Sequence, residues 1–536
     1  MRRGLVQTMS EVATCYDVAV VGGGHNGLIC AAYLAKAGRS VVVLERRPVV
    51  GGAVCTEEII PGYKFDIGSS AHIMIHGTPV IAELELAKYG LEYIEMDPWA
   101  FYPVLGTPHT ISFHRDIEAT CASIARVSPA DAEQYRKFVA HWGELNEAIF
   151  EVFLDAPDPQ KILWTALKRS VTSFRSRRAW GSLETARQLM APYGQVIRET
   201  FQNEHLRAAM LWLAAQSGPA PNEVASGDMF GWNAMIHQTG AKRAKGGSGA
   251  LTQALAKCFV AHGGELQVEA EVSAIARLAN GTFSIKLTNG EVVQARRVVS
   301  ACHVQTTFLK LLEDCPGDLK QRVANIRVGN GFGMIVRHAV EELPQYEGVT
   351  ADAHGIAPCH SALQLLCPSA EYLASSFRDF SLGRPPAHPS VVAMTFSAID
   401  PTLAPPGKHT LFTWAQYHPY ELSNGENWDA IAEREADKIY DVVCRYAPNM
   451  RGKIIGRYIQ TPVEIERKLG LLRGNVMHVE MSLDQMFFFR PLPELASYKT
   501  PIPGLYLTGA STHPGGGVFG ASGYNTARVV LADRSA

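Results

Sequence analysis

The chain has 536 residues, 47% hydrophobic and 19% charged, which excludes intrinsic disorder and is long enough for two packed domains. A formal net charge of −2 gives no bulk attraction to nucleic acid, and no uninterrupted apolar run is long enough to span a bilayer. Ten cysteines are scattered without C-x-x-C or zinc-site spacing, so they read as buried thiols in a reducing compartment. The start, Met1 to Cys15, is polar and has no apolar h-region; no secretory signal is expected, and the protein is expected in the cytoplasm or at a membrane periphery.

Tyr16–Val21 predicts a short buried strand, closed by Gly22-Gly23-Gly24-His25-Asn26-Gly27. Gly22, Gly24 and Gly27 have the G-x-G-x-x-G spacing. The first allows a tight turn, the second lets backbone approach a pyrophosphate, and the third lets helix and strand pack closely. Leu28–Ala37 predicts a helix whose N-terminus, with Asn26 in its first turn, offers free N–H groups to a phosphate, and Gly38 stops it. Ser40–Leu44 predicts a second strand ending at Glu45, where a carboxylate accepts both hydroxyls of an adenosine ribose. Arg46 and Arg47 raise the alternative of an NADP 2′-phosphate, but Glu45 at the ribose position suits two hydroxyls better.

Further along, His72 and His76 follow the Gly51-Gly52 turn. Histidine titrates near neutrality, so both are candidates for proton transfer; their i, i+4 spacing also suits a metal pair, but no third ligand accompanies them and no metal is expected. Lys161–Trp180 carries six basic residues and no acid, with Trp164, Leu167, Val171 and Phe174 at helical spacing. Two readings stand for it: a helix lying on an anionic membrane, or the solvated face of a surface helix. Lys242–Ala261 predicts a glycine-rich turn and a helix, and Asn289-Gly290 predicts a hairpin turn. Gly329–Gly333 lacks the spacing of a second nucleotide fingerprint and reads as a loop or strand junction. Phe487-Phe488-Phe489 reads as strand core in preference to a tunnel wall.

At the far end, Gly504–Ala510 predicts a strand, followed by a glycine-rich loop through Gly523 and a helix over Tyr524–Asp533. One βαβ unit cannot cover both ends of FAD, and a distant glycine-rich segment closing over the flavin is what that ligand needs. Gly509, Ala510, Gly520 and Ala521 are its candidate contacts, and His513 in the same loop is the leading acid-base candidate.

Arg46 with the Gly51-Gly52 turn resembles the second fingerprint of glutathione-reductase-like FAD folds, which implies that Arg46, Gly51 and Gly52 lie along ribose and pyrophosphate. More broadly, residues 22–38, 51–70, 246–266 and 504–525 resemble the phytoene desaturase-like branch of FAD-dependent enzymes with the amine-oxidase fold. Residues 79–93 look like carotenoid ketolases of that group. Residues 474–493 look like a relative named for a pyridine nucleotide-disulfide oxidoreductase domain. The resemblance implies a backbone contact to adenine near Val272, and it matches Asp484, Gln485 and Arg490 to a segment that either lines the site or packs the domains together. No cysteine follows Cys444, so FAD is expected to be noncovalent.

The fold class expected is α/β: a discontinuous Rossmann-type FAD-binding domain (16–109, 243–307 and 475–534) with an inserted α+β substrate domain (110–242 and 308–474). The leading expectation for function is hydride abstraction from C–H bonds of an apolar isoprenoid or carotenoid-type small molecule, by desaturation or ketolation. Oxidation of a soluble amine, and flavin binding without turnover, are the alternatives. Disulfide reduction is set aside because it needs two closely spaced redox cysteines and a nicotinamide fingerprint.

Overall fold

A computed structural model describes residues 15–158, 179–229 and 231–534. The stretch before Cys15 and residues 161–178 of the basic stretch Lys161–Trp180 lie outside the described residues.

The first sheet is built on β1 (Cys15–Val21), followed by α1 (His25–Lys36) and β2 (Val41–Leu44). After a long excursion the chain returns as α3 (Gly249–Ala261), β3 (Glu265–Gln267), β4 (Val272–Arg277), β5 (Phe283–Leu287) and β6 (Val292–Ser300). It returns once more as β7 (Leu505–Leu507) and α4 (Ala521–Ala532). The strand order is β4-β5-β6-β1-β2-β3, with β7 also paired to β6. The pairs β1–β2, β1–β6, β2–β3 and β6–β7 are parallel. Parallel strands are buried on both faces, which explains the continuous apolar runs. Val18, Val20, Val41 and Val43 pack under α1 and α3, while Ala19, Val21, Val42 and Leu44 face a core with Phe283 and Phe308. Each such burial is worth about 1.5–3 kcal/mol.

The second sheet has seven strands in the order 454–460, 334–340, 409–416, 390–394, 363–366, 100–103 and 110–113. Alternation again assigns its faces. Met334, Val336, Val391, Ala393 and Leu411 pack on the helix Trp428–Tyr446. Ile335, Leu365, Val392, Met394 and Phe412 face a core shared with α2 (Pro129–Phe153) and the helix Glu204–Ala215.

Two expectations are corrected. The crossing between domains expected at 109/110 comes earlier, because Ala100–Pro103 hydrogen-bonds into the second sheet beside Leu363–Leu366. Phe487–Phe489 forms a 3₁₀ turn instead of a strand: Phe487 packs near Phe153 and His513, and Phe489 is exposed.

Two buried arginines converge on the segment at Asp66–Ile67. Arg243 pairs with Asp66 at 2.5 Å. Arg337, from the second sheet, donates to the carbonyls of Asp66 and Ile67 and to Gln460 Oε1. They hold in place the segment that leads into Gly68–Ala71, part of the wall described next. No helix among the described residues is long and apolar enough to cross a membrane.

Candidate active site

A cavity of about 740 Å³ is lined by residues of both sheets. At one end its wall is the β1–α1 turn. Gly22 donates to Leu44 O at 2.8 Å with φ +103°, a conformation that favours glycine. A Cβ on Gly27 would sit 2.3 Å from Gly22 O, so glycine is required for α1 to leave the turn this closely. A Cβ on Gly24 would meet nothing within 4 Å: this backbone borders open cavity. No side chain caps the N-terminus of α1, which leaves its first N–H groups for an anion. Gly51 and Gly52 follow beside Gly24, both with positive φ.

Glu45 is held as a ribose acceptor must be. Its Oε2 accepts the Gly23 N–H at 2.7 Å and its Oε1 the Arg47 N–H at 2.9 Å, and the residue lines the cavity. Arg46 lines it too and donates to Lys468 O. Arg47 also lines it and is paired with Glu57. Val272 and Ala301 complete this end. Open backbone at Gly24, an uncapped helix start and a pre-oriented carboxylate fit the adenosine diphosphate half of FAD.

Of the C-terminal contacts expected, Gly509 and Ala510 line the cavity, as do Gly516–Phe519. Gly520 and Ala521 are not among the residues that line it, although the preceding Phe519 is. A Cβ on Gly520 would meet Ile29 of α1 at 2.8 Å, and Ala521 packs with Phe150, Met235 and Phe519. The start of α4 is used to pack on α1, with the Gly523 N–H donating to Asn26 Oδ1 at 3.2 Å. Asn26 and Gly27 themselves line the cavity.

The three histidines expected to carry protons are likewise absent from the wall. His72 is fully buried, with Nδ1 against Tyr93 Oη at 2.9 Å and Nε2 against Ser248 Oγ at 2.7 Å. His76 stacks edge-on against Tyr93, its Nε2 without a partner. His513 lies among Phe153 and Phe487, its Nε2 facing Val152 O at 3.3 Å and its Nδ1 unpartnered. Burial pushes His76 and His513 down to about 4, so both are neutral at pH 7. Among the described residues no group of three His, Cys, Asp or Glu could hold a metal.

Arg490 acts by position. It is fully buried, and its guanidinium donates to the carbonyls of Ala510, Glu480, Gln485 and Met477. It ties the 477–490 segment behind Ala510. Gln485 donates to Arg327 O, and Asp484 pairs with Arg327 at the surface, so this trio packs segments together.

Several wall residues carry no sequence signal. His25, the first residue of α1, lines the cavity; burial lowers it to about 4 against a hydrogen bond to the Gly517 backbone. His303 and His478 line it as a stacked pair 5.3 Å apart. The remaining wall is largely apolar, from α2 (Phe150, Phe153) and the second sheet (Met394, Phe412, Trp414). Asp228 and Asn146 interrupt it. These side chains arrive from scattered segments, and only tertiary burial could have identified them.

A family model described as flavin containing amine oxidoreductase matches residues 27–336. Among curated proteins, the chain is 34% identical to the rat pyridine nucleotide-disulfide oxidoreductase domain-containing protein 2, over 97% of this chain and 94% of the relative. It is 28% identical to one of the subunits of limonene dehydrogenase from Castellaniella defragrans, over 98% and 96%. It is 26% identical to the lycopene-forming phytoene desaturase of Pseudescherichia vulneris, over 96% and 99%. A crystal structure of an oxidoreductase from Methanosarcina mazei shares the fold, with TM-score 0.62, 17% identity, and coverage of 96% and 100%.

Proposed function

Because this chain belongs to the flavin containing amine oxidoreductases, and to a phytoene desaturase-like group within them, we propose that it is an FAD-dependent oxidoreductase that removes hydride from C–H bonds of an apolar, isoprenoid-type substrate. The family brings FAD as cofactor. The observation that carries the substrate reading is the single cavity shared by dinucleotide-binding residues and a wall of Phe150, Phe153, Met394, Phe412 and Trp414.

FAD, when bound, supplies the hydride acceptor. The chain's own residues do the rest. Glu45, Arg46 and the backbone around Gly24 and Gly51 hold the adenosine and phosphates. The apolar wall excludes water and orients a hydrocarbon skeleton by shape. No histidine in the wall is charged at neutral pH where burial lowers it, as at His25 and His303, so these rings hold hydrogen bonds and supply no positive charge. Desaturation is favoured over ketolation by relatives named for limonene dehydrogenase and phytoene desaturase. The basic, amphipathic sequence Lys161–Trp180 supports delivery of such a substrate from an anionic membrane surface.

The test is anaerobic bleaching of the bound flavin by carotenoids and monoterpenes in liposomes, beside a panel of soluble amines. Bleaching by the isoprenoids alone supports the proposal. Bleaching by amines alone overturns it, and bleaching by neither points to flavin binding without turnover of these classes.

A further inference from the structure

A wall built only for hydrocarbon needs no carboxyl group, yet Asp228 lines the cavity. It lies in the 3₁₀ turn Gly227–Met229, which packs on α2 through the following turn at Gly231 and Trp142. The acids Glu45, Glu271 and Glu466 also line the cavity. They belong to segments around the dinucleotide end, including the helix 462–469 whose Lys468 carbonyl holds Arg46. Asp228 stands apart from them, among Phe150, Met229, Trp232 and Met235. It is partly buried and lines the cavity wall. Asn146 donates one amide hydrogen to Trp142 O at 2.9 Å, and the polarity of its side chain acts on the Asp228 carboxyl against burial. Asp228 Oδ1 is buried and has no partner.

A carboxyl group with a buried, unfilled acceptor costs free energy unless something completes it. The neighbouring polar side chains do not. Trp232 Nε1 donates to Ser217 Oγ, Ser217 Oγ donates to Met229 O, and Gln216 turns its amide to Trp212 O. Resting on the function proposed above, we infer that Asp228, beside Asn146, anchors a hydrogen-bond-donating head group, a hydroxyl or ammonium, on an otherwise apolar substrate. The substrate class is then an isoprenoid-like alcohol or amine. Burial pushes the Asp228 carboxyl up to about 7, against the opposing polarity of Asn146, so at neutral pH it serves either head, sharing a proton with a hydroxyl or ionising beside an ammonium.

The experiment uses flavin-loaded protein and three probes of one chain length: geraniol, geranylamine and the hydrocarbon myrcene. Binding is read from perturbation of the flavin absorbance. Geraniol or geranylamine is expected to bind at least tenfold tighter than myrcene. Asp228→Leu is expected to erase that preference and leave myrcene binding unchanged. Asp228→Asn separates the two heads, keeping geraniol and losing geranylamine, and it carries the test if the leucine variant fails to retain flavin. Equal binding of all three probes by the parent protein, or a preference that survives both substitutions, overturns the anchor alone. Failure of every probe, myrcene included, overturns the apolar-cavity reading on which it rests.

Discussion

Asn26 Oδ1 accepts the backbone N–H of Gly523 at 3.2 Å, although 497 residues separate them. This contact joins the first turn of α1 to the first turn of α4, so the phosphate-facing helix is braced by the last helix. A Cβ on Gly523 would lie 2.3 Å from Asn26 O. Gly523→Ala is therefore expected to push the helices apart, costing about 2 kcal/mol by overpacking, and to lower flavin retention. Thermal denaturation and the flavin-to-protein absorbance ratio of the purified variant check this.

Glu45 is expected to act on cofactor affinity. Glu45→Ala frees the Gly23 and Arg47 N–H groups and removes the ribose acceptor, a loss of about 2–3 kcal/mol or roughly 100-fold in FAD affinity. Titration of apoprotein with FAD, followed by quenching of flavin fluorescence, measures it. An unchanged dissociation constant would place the adenosine elsewhere.

His513 is buried neutral, shifted from 6.5 to about 4. The unfolded chain binds the extra proton first as pH falls, so the stability tied to the neutral ring is complete above about 6.5 and lost as pH drops through about 4. His513→Phe, in a site already walled by Phe153 and Phe487, is expected to keep its flavin and to unfold at a higher temperature than the parent at pH 5, with little difference at pH 8. A proton-carrying role would instead show as lost flavin reduction with the melting difference unchanged across pH.

Asp228 has the opposite sign. Its carboxyl is raised from 3.8 to about 7, so the folded state holds a proton that the unfolded state releases. Its contribution is fully present below about 3.8 and is lost as pH rises through about 7. Asp228→Asn is expected to gain stability over the parent progressively from pH 4 to pH 7, reaching about 1–3 kcal/mol, and to stay level above that. Urea midpoints across pH decide it, and a constant difference would mean that the carboxyl group is not buried as described.

Arg490→Met is expected to be severe. It strands the carbonyls of Ala510, Glu480, Gln485 and Met477 in the interior, at a cost of about 3 kcal/mol or more, and releases the loop carrying Ala510. Loss of flavin before global unfolding, seen as separate transitions in fluorescence and circular dichroism, is the signature.

The dinucleotide half of the site is legible in the sequence because its chemistry is local. Gly22, Gly24, Gly27 and Glu45 act through backbone conformation and strand ends, which a contiguous pattern records. Gly520, expected in the loop that closes over the flavin, also makes room for Ile29 of α1, which no contiguous pattern records. The proton-carrying candidates are a different case. Sequence position puts His72 and His513 near the flavin but does not tell which way a ring points, and both turn into packed protein. Asp228 is invisible in the sequence, since an isolated acid between glycines reads as loop until its turn packs beside α2. The crossing at Ala100–Pro103 is hidden because an apolar run does not say which of two sheets it will join.

The pairing of β7 with β6 joins strands from distant parts of the chain. The wall segment that includes Gly509 and Ala510, and the brace from Gly523 to Asn26, form only once that pairing is made. The glycine turn and Glu45 alone do not enclose a dinucleotide. Enclosure of the cofactor therefore depends on segments far apart in the chain coming together.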